Sequence, residues 1–140
     1  MSLGSIMYTD TKASGKIIGL DHIAITGDNP EKTQNFFAKH LGITFGDKEF
    51  IKQEDLFVSS GEIGEGTCGD KSSVEILFPD SNNKSIQKFI KNKKGAVHHI
   101  ALRVDNLDML LSKLISSGVC LLNSKPNIGK GGSRLSLIHI

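Results

Sequence analysis

The chemistry of this chain starts with histidine. The segment Leu20-Asp21-His22-Ile23-Ala24-Ile25 returns 77 residues later as Val97-His98-His99-Ile100-Ala101-Leu102, so one strand-like unit occurs twice with a histidine at the same place. In each copy an Asp-Asn pair follows at the same offset, Asp28-Asn29 and Asp105-Asn106, and opens an amphipathic run. Glu75, in Val74-Glu75-Ile76-Leu77, supplies a carboxylate in the last apolar run of the first copy. Two imidazoles and a carboxylate suit a divalent metal of hard or borderline character, with positions left for water or substrate. Taken singly, each residue has a plainer reading. A strand histidine is more often a hydrogen-bonded core or surface residue, and a strand glutamate a solvated one. The duplication promotes His22, Glu75 and His99 above that reading. The counterpart of Glu75 in the second copy falls near position 152, past Ile140.

The elements that must carry these residues follow from pattern. Lys16 to Thr26 is rich in Ile and Leu and reads as a strand covered on at least one face. A helix follows: Asp28 or Asn29 caps it, Pro30 suits its first position, Glu31 its positive end, Phe36, Phe37 and Leu41 its apolar stripe, and Gly42 its end. Ile43 to Lys52 and Glu54 to Ser59 read as strands, glycines 61, 64, 66 and 69 as a long turn, and Ser73 to Phe78 as a fourth strand. Module one is thus βαβββ over residues 17–80, after a segment 1–16 without clear periodicity. Residues 81–95 form a linker helix with Ile86, Phe89 and Ile90 on one side and a solvated lysine face on the other.

Module two, residues 96–140, repeats the plan. It has a strand Val97 to Val104, a helix with Leu107, Leu110, Leu111, Leu114 and Ile115 on one stripe closed by Gly118, a strand Val119 to Asn123, a glycine-rich loop and a strand Arg134 to Ile140. The expected class is α+β, one domain over 17–140 built from two tandem βαβββ modules, with the last strand of the second missing from this chain. When two such modules pair about a pseudo-twofold axis, equivalent inward positions converge on one cleft, and His22 and His99 meet there. His98 should face the other side of its strand, and His40 the carbonyls at a helix end.

Composition narrows the partners. With 140 residues, 38% of them apolar, the chain has enough material for one ordinary core. A formal charge of +2 gives no ground for a nucleic-acid partner, and no apolar run approaches the roughly 20 residues that span a bilayer. Cys68 and Cys120 form no CxxC and read as reduced thiols of a cytoplasmic type of compartment, the mitochondrial matrix if the source is eukaryotic. Asp10 and the absence of arginine in the opening residues speak against a presequence.

Four segments in order carry a family resemblance: Gly19-Leu20-Asp21-His22-Ile23-Ala24, Val74-Glu75-Ile76-Leu77-Phe78-Pro79, Val97-His98-His99-Ile100-Ala101-Leu102-Arg103-Val104-Asp105, and Lys125-Pro126-Asn127-Ile128-Gly129-Lys130-Gly131-Gly132-Ser133-Arg134. From about Gly19 to His139 the chain resembles the vicinal oxygen chelate (glyoxalase/bleomycin resistance/dioxygenase) superfamily, and within it most resembles the methylmalonyl-CoA epimerases. The resemblance implies an isomerase that passes through a metal-stabilised enolate, with His22, Glu75 and His99 as metal ligands and cobalt as the leading metal, zinc, nickel or manganese being the others. It also implies an acyl-CoA substrate. Lys130, Gly131, Gly132 and Arg134 are then substrate-binding candidates, although the same glycines serve equally as a flexible connection. The catalytic base is open, with Glu54 the nearest candidate and an exposed strand start its plainer reading.

The family's fourth ligand is a glutamate on an eighth strand, which this chain does not include. Two other functions therefore stand beside the first. One is a lactoylglutathione lyase acting on a glutathione adduct, and the other is a metal-free ligand-binding module of bleomycin-resistance type. An open edge on the seventh strand is expected to be covered by a neighbouring copy in a homodimer.

Overall fold

The computed structural model describes residues 14–65, 67, 71–123 and 125–138, so Cys68, Gly66, Gly69, His139 and the first thirteen residues lie outside the described residues. The chain opens with strand β1 (Ile17–Gly27) and helix α1 (Pro30–Leu41). The cap is the expected one. The Asn29 side chain accepts the Lys32 N–H at 2.9 Å, Pro30 begins the helix, and Gly42 ends it in the left-handed region at φ 69°. Such a cap contributes about 1 kcal/mol. The apolar stripe is narrower than expected, because only Phe37 packs on the sheet, against Val74, Ile76 and Phe78, while Phe36 and Leu41 are exposed.

Next come β2 (Glu49–Ile51), a 3-10 turn over Lys52–Glu54, β3 (Leu56–Ile63) and β4 (Ser72–Pro79). Here the structure corrects the pattern reading. The strand expected from Ile43 to Lys52 shrinks to three residues, since Gly46-Asp47-Lys48 breaks it and Phe45 makes only an isolated bridge to Gly61. Glu54 does not start a strand but closes the 3-10 turn, with Asp55 at φ 46° as the joint into β3. Gly61 belongs to β3 and not to a turn. A Cβ there would stand 2.3 Å from Ile43 Cγ2, so close packing explains the glycine.

Helix α2 (Lys84–Lys93), capped by Asn83, is the linker helix, and it buries Ile86. Strand β5 (Gly95–Val104) and helix α3 (Leu107–Ser116), capped by Asn106, repeat β1 and α1, although Ile115 is exposed and only Leu111 of the helix is buried. The strand expected at Val119 to Asn123 does not form, since Leu121 makes one bridge to Ile138. The remainder consists of β6 (Asn127–Ile128), a 3-10 turn over Lys130–Gly132 and β7 (Arg134–Leu135), the two strands pairing only with each other. The second module thus repeats its strand and helix in full and the later strands as short pieces.

The fold is α+β, built on a five-stranded sheet in the order β2-β3-β4-β1-β5. β1 and β4 run parallel, and the other pairs are antiparallel. Residues paired across a ladder share a face. Ala24 pairs with both Glu75 and His99, His22 pairs with Ser73, and Ser60 pairs with Glu75, so both histidines and the glutamate point to one side. Val74, Ile76 and Phe78 take the other side, under α1. On the first side Ala24, Ile51, Leu56, Val58, Leu77 and Ile86 form a second apolar cluster. Each large side chain so buried contributes roughly 1.5–3 kcal/mol, which sets the site on a rigid floor.

Candidate metal centre

The shared face of β1, β4 and β5 is the floor of an open cavity of about 880 Å³. Its polar end gathers Asp21, His22, Ser60, Glu75, His99 and Arg103, and its apolar end includes Leu56, Val58, Leu77, Leu135 and Leu137. His22 Nε2 lies 3.1 Å from His99 Nε2 and 3.4 Å from Glu75 Oε2. Ser60 donates its hydroxyl to the other oxygen of Glu75 at 2.8 Å, which turns Oε2 toward the histidines. Glu75 is 8% exposed, so the solvated reading of that residue is ruled out.

These donors suit a divalent ion. Adjacent ligands of an octahedral ion with bonds of about 2.1 Å stand about 3 Å apart, close to both separations. Among the described residues no three His, Cys, Asp or Glu side chains form a preassembled cage; the arrangement is two contacts radiating from His22 Nε2. Burial, and after it the charges of His22 and His98, pushes the pKa of His99 down to about 4, so this imidazole is neutral and has a lone pair to offer.

The nitrogens facing away from that point are also held. His22 Nδ1 lies 2.8 Å from Asp21 Oδ2, and Asp21 Oδ1 accepts from Arg103 Nε and Nη2 at 3.3 Å each. Arg103 Nη2 also donates to the Lys71 carbonyl at 3.0 Å. His99 Nδ1 lies 2.9 Å from His98 Nδ1, while the His98 ring packs edge-on against Phe89 of α2. The reason is a pair of bulges. The β1–β5 register passes from Leu20↔Leu102 to His22↔Ala101 and from Ala24↔His99 to Ile25↔Val97, leaving Asp21 and His98 unpaired. A bulged residue leaves the strict alternation of faces, so each reaches its neighbour.

The other expected site residues fare unequally. Glu54 lines the cavity on the 3-10 turn, and its burial raises its pKa above the usual carboxylate range. Lys130 lines it as well, with Gly129 and Ser133. Gly131 spends its N–H on Glu49 at 2.9 Å, and Gly132 lines a smaller crevice beside β2. Arg134 turns away altogether, in a two-pronged pair with Asp108 of α3 at 2.7 and 3.1 Å. His40 rests against Phe36 at the end of α1. Asp21, Ser60 and Arg103 were not candidates by sequence. Asp21 beside His22 was the one visible signal, and simple strand alternation argues against it.

Comparison with known proteins then places the chain. The Glyoxalase/Bleomycin resistance protein/Dioxygenase superfamily signature matches residues 21–136, most of the chain. The chain belongs to that superfamily. Among similar proteins, the mitochondrial methylmalonyl-CoA epimerase of Bos taurus is 26% identical over 121 residues, 86% of this chain and 66% of that protein. That of Dictyostelium discoideum is 26% identical over 132 residues, 89% of this chain and 76% of its own length. The chain thus spans about two-thirds of the bovine protein. The fold of this superfamily member matches a Streptomyces coelicolor methylmalonyl-CoA epimerase variant in complex with 2-nitronate-propionyl-CoA, with a TM-score of 0.81 at 23% identity and 89% of each chain covered. It also matches a methylmalonyl-CoA epimerase from Mycobacterium tuberculosis, with a TM-score of 0.78 at 24% identity, covering 91% of this chain and 82% of that one. Among the described residues no helix is long and apolar enough to cross a membrane.

Proposed function

We propose that this protein is a metal-dependent epimerase of methylmalonyl-CoA type, acting on an acyl-CoA in the cavity over β1, β4 and β5. The observation that carries the reading is the pair of contacts that His22 Nε2 makes with His99 Nε2 at 3.1 Å and Glu75 Oε2 at 3.4 Å, in a cavity that also contains the half-buried Glu54. The names of the similar proteins support the substrate class.

The difficulty of the reaction is the weak acidity of a carbon between a thioester and a carboxylate. A divalent ion held by His22, Glu75 and His99, with cobalt first among the candidates, would polarise the substrate oxygens as a Lewis acid, worth several kcal/mol. Glu54 then takes the proton from C2, leaving the substrate as its enolate, and a proton exchanged with solvent returns to the opposite face of C2, so that the configuration inverts with no net gain or loss of protons. The burial of Glu54 makes it a stronger base than an exposed carboxylate, and a well-placed base contributes about 10²–10⁴-fold. Leu56, Val58 and Leu77 give the cavity an apolar wall for the acyl part of the substrate, and Lys130, also in its lining, offers a charge to the CoA phosphates.

The test is proton exchange. Protein loaded with cobalt should interconvert the C2 epimers of methylmalonyl-CoA and wash deuterium from D2O into C2, with Glu54→Gln at least about 100-fold slower. Turnover of the hemithioacetal of glutathione and methylglyoxal in place of this exchange would replace the reading with a lyase. Absence of both reactions, with tight binding of an organic ligand, would replace it with a binding module.

A further inference from the structure

We infer that Asp21, clamped by Arg103, is a positioning residue that fixes the tautomer of His22 and so decides whether its Nε2 can serve as a ligand. The inference rests on the metal reading proposed for the site but concerns a proton location that exists without any metal.

A carboxylate accepts and cannot donate. Carboxylates face both ring nitrogens, Asp21 Oδ2 at 2.8 Å from Nδ1 and Glu75 Oε2 at 3.4 Å from Nε2, and the shorter contact draws the proton of the neutral ring to Nδ1, leaving the lone pair on Nε2. The contact of His22 Nε2 with His99 Nε2 at 3.1 Å then takes its proton from His99 in the metal-free protein, and coordination by His99 requires that proton to move to its Nδ1, where His98 Nδ1 at 2.9 Å can accept it. Arg103 sets the direction of the carboxylate. Its Nε and Nη2 hold Oδ1, and the bond of Nη2 to the Lys71 carbonyl fixes the guanidinium in turn, so Oδ2 is the oxygen left for the ring. The bulge at Asp21 is what makes this possible, because a regular strand would send the side chains of residues 21 and 22 to opposite faces.

Asp21→Asn tests the idea sharply. A carboxamide has one accepting oxygen, and Arg103, a charged donor, holds it. The NH2 then faces His22 Nδ1 and donates to it, moving the ring proton to Nε2; unlike His99, whose Nδ1 has His98 to receive a proton, this ring has a donor against Nδ1, so the Nε2 proton cannot be shifted away and blocks coordination. Removing the clamp in D21N/R103M lets the amide turn its oxygen to Nδ1 and restores the original tautomer.

The experiment reads long-range 15N–1H correlations of the histidine rings in metal-free protein at neutral pH, together with cobalt affinity by calorimetry. We expect Nδ1–H on His22 in the wild type and Nε2–H in D21N, with cobalt affinity about ten- to a hundred-fold lower, and partial recovery of both readouts in D21N/R103M. An amide spectrum matching the wild type certifies each fold. Nε2–H on His22 in the wild type would overturn the inference without any variant, as would an unchanged tautomer in D21N or a double variant no better than the single one. If the wild type binds no cobalt yet D21N still switches the tautomer, the metal reading fails and the role of Asp21 stands.

Discussion

His99 is the residue on which the electrostatics of the site are most exposed to test. Its folded pKa of about 4 lies below the ordinary value of 6.5, first through burial and then through His22 and His98. The unfolded chain therefore takes up a proton near pH 6.5, whereas the folded protein resists it down to about 4. Stability from this group is complete above pH 6.5 and drains away as the pH falls toward 4. The open cavity screens the charge, so the total is at most about 3 kcal/mol. Denaturant unfolding across this window should show a steeper loss in the metal-free wild type than in His99→Gln, and parallel curves would contradict it. At this scale His22, His99 and Glu75 were legible because the repeat marks them. Asp21 and Arg103 were not, because a bulge cannot be read from alternation. Arg134 was misleading because its charge is spent on Asp108.

At the scale of elements, legibility followed local signals. Helices α1 and α3 were readable from the Asp-Asn pairs that end in Asn29 and Asn106 and from their apolar spacing, and α2 from the spacing of Ile86, Phe89 and Ile90 alone, since caps and periodicity are local. The stretches Ile43–Lys52 and Val119–Asn123 had suitable residues but form little strand, because a ladder also needs a partner in register. The open edge expected on the seventh strand belongs instead to β5, as β7 is two residues long. The other edge, β2, is short, and the glycine-rich loop bonds to Glu49 and Gln53 beside it. β5 runs for ten residues at the sheet's end, with Val97, Ile100 and Leu102 more than half exposed. A long apolar edge of this kind is a template for association. We expect a second copy to cover it, giving a homodimer by size exclusion with light scattering that Ile100→Lys weakens. A wild-type monomer at every concentration would contradict this.

At the scale of the whole molecule, the duplicated strand and helix bring two histidines 77 positions apart in sequence to within hydrogen-bonding distance. The sheet order β4-β1-β5 places Glu75 and His99 on strands flanking that of His22, and the apolar floor keeps that end of the cavity fixed. Every functional step proposed for the protein depends on those three side chains acting as one centre. The most direct test is cobalt binding to the purified chain, followed by calorimetry and the visible absorption of the bound ion. A single high-affinity site is expected, with a spectrum that is lost in His22→Ala, in His99→Ala and in Glu75→Ala. No binding by the wild type, or binding that survives all of these substitutions, would contradict the assignment of His22, Glu75 and His99 as one metal centre.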